Sequence, residues 1–136
     1  MKWLAAAVMF LMLTGCGNVQ WFPENSSTSA PTFSADFSVS SPTPNPDGTI
    51  PVSSTITSNT VTVTGSNTSG WSVSITGGQY SINGGGYTTV AGTILPNQTL
   101  TLQQQSSAQN NSTTTVTITV GTATRTWQVT TVAPTV

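Results

Sequence analysis

The chain is 136 residues long, the size of one domain, and 4% of its residues are charged against about 25% in a typical soluble domain. Two bases, Lys2 and Arg125, stand against Glu24, Asp36 and Asp47, so no basic patch exists for nucleic acid or for anionic lipid headgroups. With no histidine and one cysteine, Ser–His chemistry, metal–His sites and an intramolecular disulfide are all excluded.

The polar surface must therefore come from hydroxyls and amides, and roughly a third of the chain is Ser or Thr, a composition suited to strands and turns. At the start, Lys2 supplies a positive charge ahead of an apolar run from Trp3 to Leu13. Eleven residues cannot span a hydrocarbon core, which takes about 20 as a helix, but they suit the hydrophobic region of a signal peptide. The run ends in Leu13-Thr14-Gly15-Cys16. These four residues resemble the lipobox of bacterial lipoproteins: Leu, a small residue, Gly or Ala, then Cys.

That resemblance implies a signal peptide over 1–15, cleavage between Gly15 and Cys16, and a diacylglyceryl group on the Cys16 sulfur. The new amine is usually acylated as well. Each buried CH₂ contributes about 0.8 kcal/mol, and two chains anchor stably where one does not. The membrane is thus an expected partner through Cys16. Gly17, rather than Asp, follows the cysteine, which in the lipoprotein family points to the outer membrane of a cell envelope that has one.

From Cys16 to Thr32 the Ser/Thr/Pro/Asn content cannot form a core and reads as a tether, able to reach about 50 Å when fully extended. Trp21 and Phe22 interrupt it, placed to rest at the headgroup level or to dock on the domain. The folded domain is expected over 33–136. Phe33, Phe37 and Val39 alternate in a first strand, and the proline-punctuated loop from Ser41 to Gly48 follows. The chain restarts near Ile50 and runs towards Ile56.

Alternation then becomes regular. Val61 and Val63 oppose Thr60, Thr62 and Thr64, and Trp71, Val73 and Ile75 alternate with Ser72, Ser74 and Thr76. Tyr80 and Ile82 lead into Asn83-Gly84, a type I′ hairpin signal, with Tyr87–Val90 as the returning strand. Leu100 and Leu102, then Val116, Ile118 and Val120, then Trp127 and Val129 complete the set. The predicted core is these apolar positions with Phe37, Ile56 and Ile82. Period-2 patterning predicts antiparallel sheets with one wet face, and about seven to eight strands predict an all-β immunoglobulin-like sandwich.

Three pieces of the chain, Ser58–Gly65, Gly77–Gly84 and Thr126–Thr131, resemble immunoglobulin-like repeat modules of large bacterial surface proteins. Those modules occur in tandem as spacers or adhesive stalks. This chain carries one copy behind a lipid anchor.

No catalytic set emerges. Asp36 and Asp47 lie on different segments, Glu24 is in the tether, and Asn45, Asp47 and Gly48 lack the further ligands of a calcium loop. Gly84-Gly85-Gly86 is followed by no lysine and opens no helix, so it is not a phosphate loop. The chain is expected to be no enzyme and to use no cofactor or metal. Its expected role is a structural or protein-interaction module at the cell envelope. The alternative is a glycan-binding or adhesive module in which Tyr80 and Tyr87 stack on sugar rings; against it, Trp71 reads as core and the tyrosines as caps on the sheet. Arg125 is the one charge after Gly48, so edge strands carry few of the charges that usually block strand addition.

Overall fold

The computed structural model describes residues 28–41 and 50–133. The signal peptide, the Gly15–Cys16 junction, Gly17, Trp21, Phe22, Glu24 and the Asp47-Gly48 turn lie outside them. The described residues form ten strands and no helix. They are β1 (Thr32–Phe33), β2 (Val39–Ser41), β3 (Thr55–Ser58), β4 (Val61–Thr64), β5 (Trp71–Thr76), β6 (Gln79–Ile82), β7 (Gly92–Ile94), β8 (Thr99–Gln105), β9 (Thr113–Val120) and β10 (Ala123–Thr130).

Two antiparallel sheets face each other. The first has the order β1-β4-β8-β3-β2 with β6 on the other side of β8, and the second has the order β10-β9-β5-β7. Two of the first sheet's strands are broken. β3 and β4 lie in succession along one side of β8, Ile56 opposite Gln104 and Val61 opposite Leu100. β1 and β2 follow them along the sheet edge, Phe33 opposite Val63 and Val39 opposite Ser58. Counting each broken strand once gives four strands against four, an antiparallel β-sandwich.

At the β3–β4 break, the ladder loses a backbone partner. The Ser58 hydroxyl replaces it, accepting the Leu102 N–H and donating to the Asn59 carbonyl, both at 2.8 Å. Asn59 repairs the other side: its amide oxygen accepts the Ser38 N–H at 2.8 Å and its amide nitrogen donates to the Asp36 carbonyl at 3.1 Å. A small hydroxyl and an amide thus let the strand bend without leaving buried backbone groups unpaired.

The expected alternation sets the core. Ile56, Val61, Val63, Val73, Leu100, Leu102, Val116, Ile118 and Val120 are fully buried, with Phe37, Trp71, Trp127 and Val129 nearly so. Each such side chain contributes about 1.5–3 kcal/mol on burial. Ile75 and Ile82 pack against this core from its margin, and Ile50, Tyr80 and Ile94 complete it.

Three departures from expectation have physical reasons. The first strand splits, because Ser34 to Ser38 leave the ladder while Phe33 and Phe37 keep an edge-to-face contact at 6.2 Å between centroids. The turn at Asn83-Gly84 forms with both residues at positive φ, 51° and 70°, and the Gly85 N–H donating to the Ile82 carbonyl. Yet its return is a single bridge, Tyr80 to Thr88, since Gly85, Gly86 and Thr89 supply no apolar side chain to continue it. The missed strand is β7, three residues on the β5 edge that bury Ile94. Between β5 and β7 the chain crosses to the first sheet, where β6 pairs with β8, before β7 returns to the edge of β5.

The sandwich has two distinct ends. At one, Trp71 fills the space between the 65–70 loop and the β9–β10 turn. A Cβ on Gly65 or Gly121 would lie 2.9 Å or 2.8 Å from its indole, so both turns need glycine. At the other end lie Gly77-Gly78, Gln104 to Ser106, and the end of β10.

Candidate functional site

Tyr80 and Tyr87 part company. Tyr80 sits on β6 facing Leu102 across the ladder, 2% exposed, and its hydroxyl donates to the Val90 carbonyl at 2.7 Å. Burial raises its pKa above the ordinary tyrosine value. Gly92 makes room for it, since a Cβ there would lie 2.7 Å from the phenol oxygen. A ring so placed cannot stack on a ligand, and Tyr80 is withdrawn as a ligand contact. Tyr87 remains at the surface, beside the more exposed Val90 on the β6–β7 connection. Trp71 is 6% exposed, in the core, with its indole N–H donating to the Ser29 carbonyl at 3.3 Å.

β10 forms one lateral edge of the second sheet. All eight residues of β10 pair in unbroken register with β9, from Ala123 opposite Val120 to Thr130 opposite Thr113. Among the described residues no backbone group pairs with β10 on its other side. It has neither proline nor bulge. Thr124, Thr126, Gln128 and Thr130 line its outer face, and all are exposed.

One protective device is present. Arg125 shares the inward face with Trp127 and Val129, so a charge points towards the core margin at the edge strand. Its guanidinium lies 5.1 Å above the Phe33 ring, and its Nε is 3.6 Å from an Asp36 carboxylate oxygen. Asp36 and Arg125 are the two formally charged side chains among the described residues, and they face each other. Sequence reasoning treated them separately because the segment from Ser34 to Ser38 is not a strand. Its crossing towards β10 has no periodic signature.

Two clefts mark the two ends. Near Trp71 a cavity of about 370 Å³ is bordered by Ser29, Pro31, Asn67 and Gly121. At the opposite end a cleft of about 350 Å³ is lined by Thr55, Gly78, Gln79, Gln103, Gln104 and Gln105. Gln104 is 4% exposed, and neither polar atom of its carboxamide finds a hydrogen-bond partner among the described residues. Carrying the Leu100, Leu102 alternation one step further lands on Gln104, so its burial was legible in the sequence. Among the described residues no three of His, Cys, Asp and Glu gather into a metal-binding group.

No protein-family model matches the chain, and neither the curated proteins nor the solved structures contain a match to it.

Proposed function

We propose that this protein is a lipid-anchored component of the bacterial cell envelope whose β-sandwich is a non-catalytic structural and protein-interaction module. The observation that carries this reading is the eight-residue edge of β10, unpaired among the described residues and guarded by one inward charge. Exposed ladder edges are templates for another strand, and natural proteins usually blunt them. A partner adding a strand here gains main-chain hydrogen bonds, with the Thr and Gln side chains setting register. The lipobox supplies the anchor on Cys16, and Gly17 favours the outer membrane.

The test is crosslinking on intact cells with recovery through a C-terminal tag, comparing the native chain with a Thr126→Lys, Gln128→Lys double variant. A stoichiometric protein partner lost in the variant supports strand addition at β10. A partner retained at full yield by a variant that melts like the native chain refutes it.

A second reading, binding of a neutral glycan, is favoured by the Gln104 cleft rather than by aromatics. Its described lining is all hydroxyl, amide and glycine, and the Gln104 carboxamide lacks partners among the described residues. Titration with N-acetylglucosamine oligomers, followed by NMR of the glutamine side-chain amides, separates the readings. Saturable shifts at Gln79 and Gln104 would support the glycan.

A further inference from the structure

The described chain enters the sandwich at one end and leaves at the other. Ser29 is held at the Trp71 end by three hydrogen bonds. Its N–H donates to the Ser66 carbonyl at 2.9 Å, its hydroxyl accepts the Ser66 N–H at 2.7 Å, and its carbonyl accepts the Trp71 indole N–H at 3.3 Å. β10 starts beside Gly121, against Trp71, and runs away from it to Thr130 and Thr131. Thr131 is fixed at the far end, its N–H donating to the Ser112 carbonyl at 3.0 Å. The first segment runs the same way, from Thr32 opposite Thr64 to Ser41 opposite Thr57.

From this path we propose that the sandwich is a tension-bearing link between its N-terminal attachment and whatever holds its C-terminal end. The proposal rests on the reading of Cys16 as an anchor. Antiparallel ladder bonds run perpendicular to their strands. A pull between the two ends acts along β1/β2 and along β10, so it shears their hydrogen bonds together rather than opening them one at a time. For β10 that means eight residue pairs in unbroken register. The first segment has few ladder pairs, and it is riveted by side chains instead. Besides Ser29, the Ser34 hydroxyl accepts the Thr62 N–H at 2.9 Å, and Asn59 holds both Asp36 and Ser38. Arg125 joins the two load-bearing segments laterally through Asp36 and Phe33. These side-chain bonds add to the few ladder pairs of the first segment in resisting that shear.

Single-molecule force spectroscopy tests the idea on the full chain produced without acylation, in which Cys16 is the only thiol and gives a handle at the N-terminal side. The second handle is a C-terminal tag. The comparison is a Cys16→Ser, Asn110→Cys chain with the same tag, which pulls apart neighbouring ends of β9 and β10 and opens that hairpin bond by bond. Forced unfolding is governed by the unfolding barrier along the pulling direction, so the two geometries report different barriers for one fold. The expected result is a severalfold higher rupture force for the Cys16 geometry. An Asn59→Ala variant should lower that force while leaving the hairpin-opening force as it was. Equal forces, or a higher force in the hairpin geometry, overturn the proposal, as does an Asn59→Ala variant that melts cooperatively and ruptures at the native force. Lipid labelling of Cys16 is read separately. A chain that is not acylated removes the anchor and leaves the mechanical comparison standing.

Discussion

Gln104 and Tyr80 show how two buried polar side chains in one small core carry opposite costs. The Gln104 carboxamide is buried with no partner among the described residues, and an unsatisfied buried amide costs about 1–3 kcal/mol. Gln104→Leu, of similar length and without polar atoms, is therefore expected to raise stability by an amount of that order, read as a higher midpoint in thermal or urea denaturation. If the glutamine serves a ligand, the same variant becomes more stable and loses the N-acetylglucosamine shifts together. Tyr80 is satisfied by the Val90 carbonyl, so Tyr80→Phe is expected to cost about 0.5–1.5 kcal/mol. Its raised pKa also fixes a pH dependence. The folded state holds the phenol proton more tightly than the unfolded chain does. Stability from this group is thus complete below the unfolded tyrosine pKa of about 10 and falls as pH rises above it. Denaturation midpoints between pH 9 and 11 should show that fall in the native chain and a shallower one in Tyr80→Phe.

At the scale of strands, the broken β3–β4 unit is the clearest case of a side chain doing backbone work. Removing the Ser58 hydroxyl strands the buried Leu102 N–H, so Ser58→Ala is expected to destabilise by about 1–3 kcal/mol. Amide hydrogen exchange should place the loss at Leu102 and its neighbours in β8. The same unit shows where sequence reading succeeds and stops. Val61, Val63, Leu100, Leu102, Val116, Ile118 and Val120 were identified as core because a half-buried strand repeats every two residues. The Asn83-Gly84 turn was legible because few residues accept positive φ. β7 was not, since Gly92-Thr93-Ile94 offers one apolar side chain and no alternation to detect. Tyr80 was ambiguous for a different reason. A tyrosine at an inward position is compatible with a capped sheet or a ligand platform, and only the Val90 carbonyl within reach decides between them. The proximity of Asp36 to Arg125, nearly ninety residues apart, is a property of the folded topology that no local pattern encodes.

For the whole molecule, the described chain starts at the Trp71 end of the sandwich, and the Gln104 cleft and the end of β10 lie at the opposite end. The proposed lipid anchor ahead of that start is tested at Cys16. Cys16→Ser should abolish incorporation of labelled palmitate and move the protein from the membrane to the soluble fraction. Palmitate retained in that variant would refute lipidation at this residue.

The Asp36–Arg125 contact bears on how the proposed strand-adding partner would meet this domain. The described domain spends its one cation on its one anion, leaving a surface of hydroxyls and amides with almost no long-range field. Complexes that form quickly are usually drawn together by opposite potentials, and that attraction is the part salt removes. Outside the described residues only Glu24 and Asp47 follow Cys16 as charges, so salt has little to screen. Association at β10 is therefore expected near the unsteered range of about 10⁵–10⁶ M⁻¹s⁻¹, with little change in rate between low and high ionic strength in stopped-flow mixing. Confinement to one membrane would then supply what attraction does not: two molecules held in the same thin layer meet often without being pulled together.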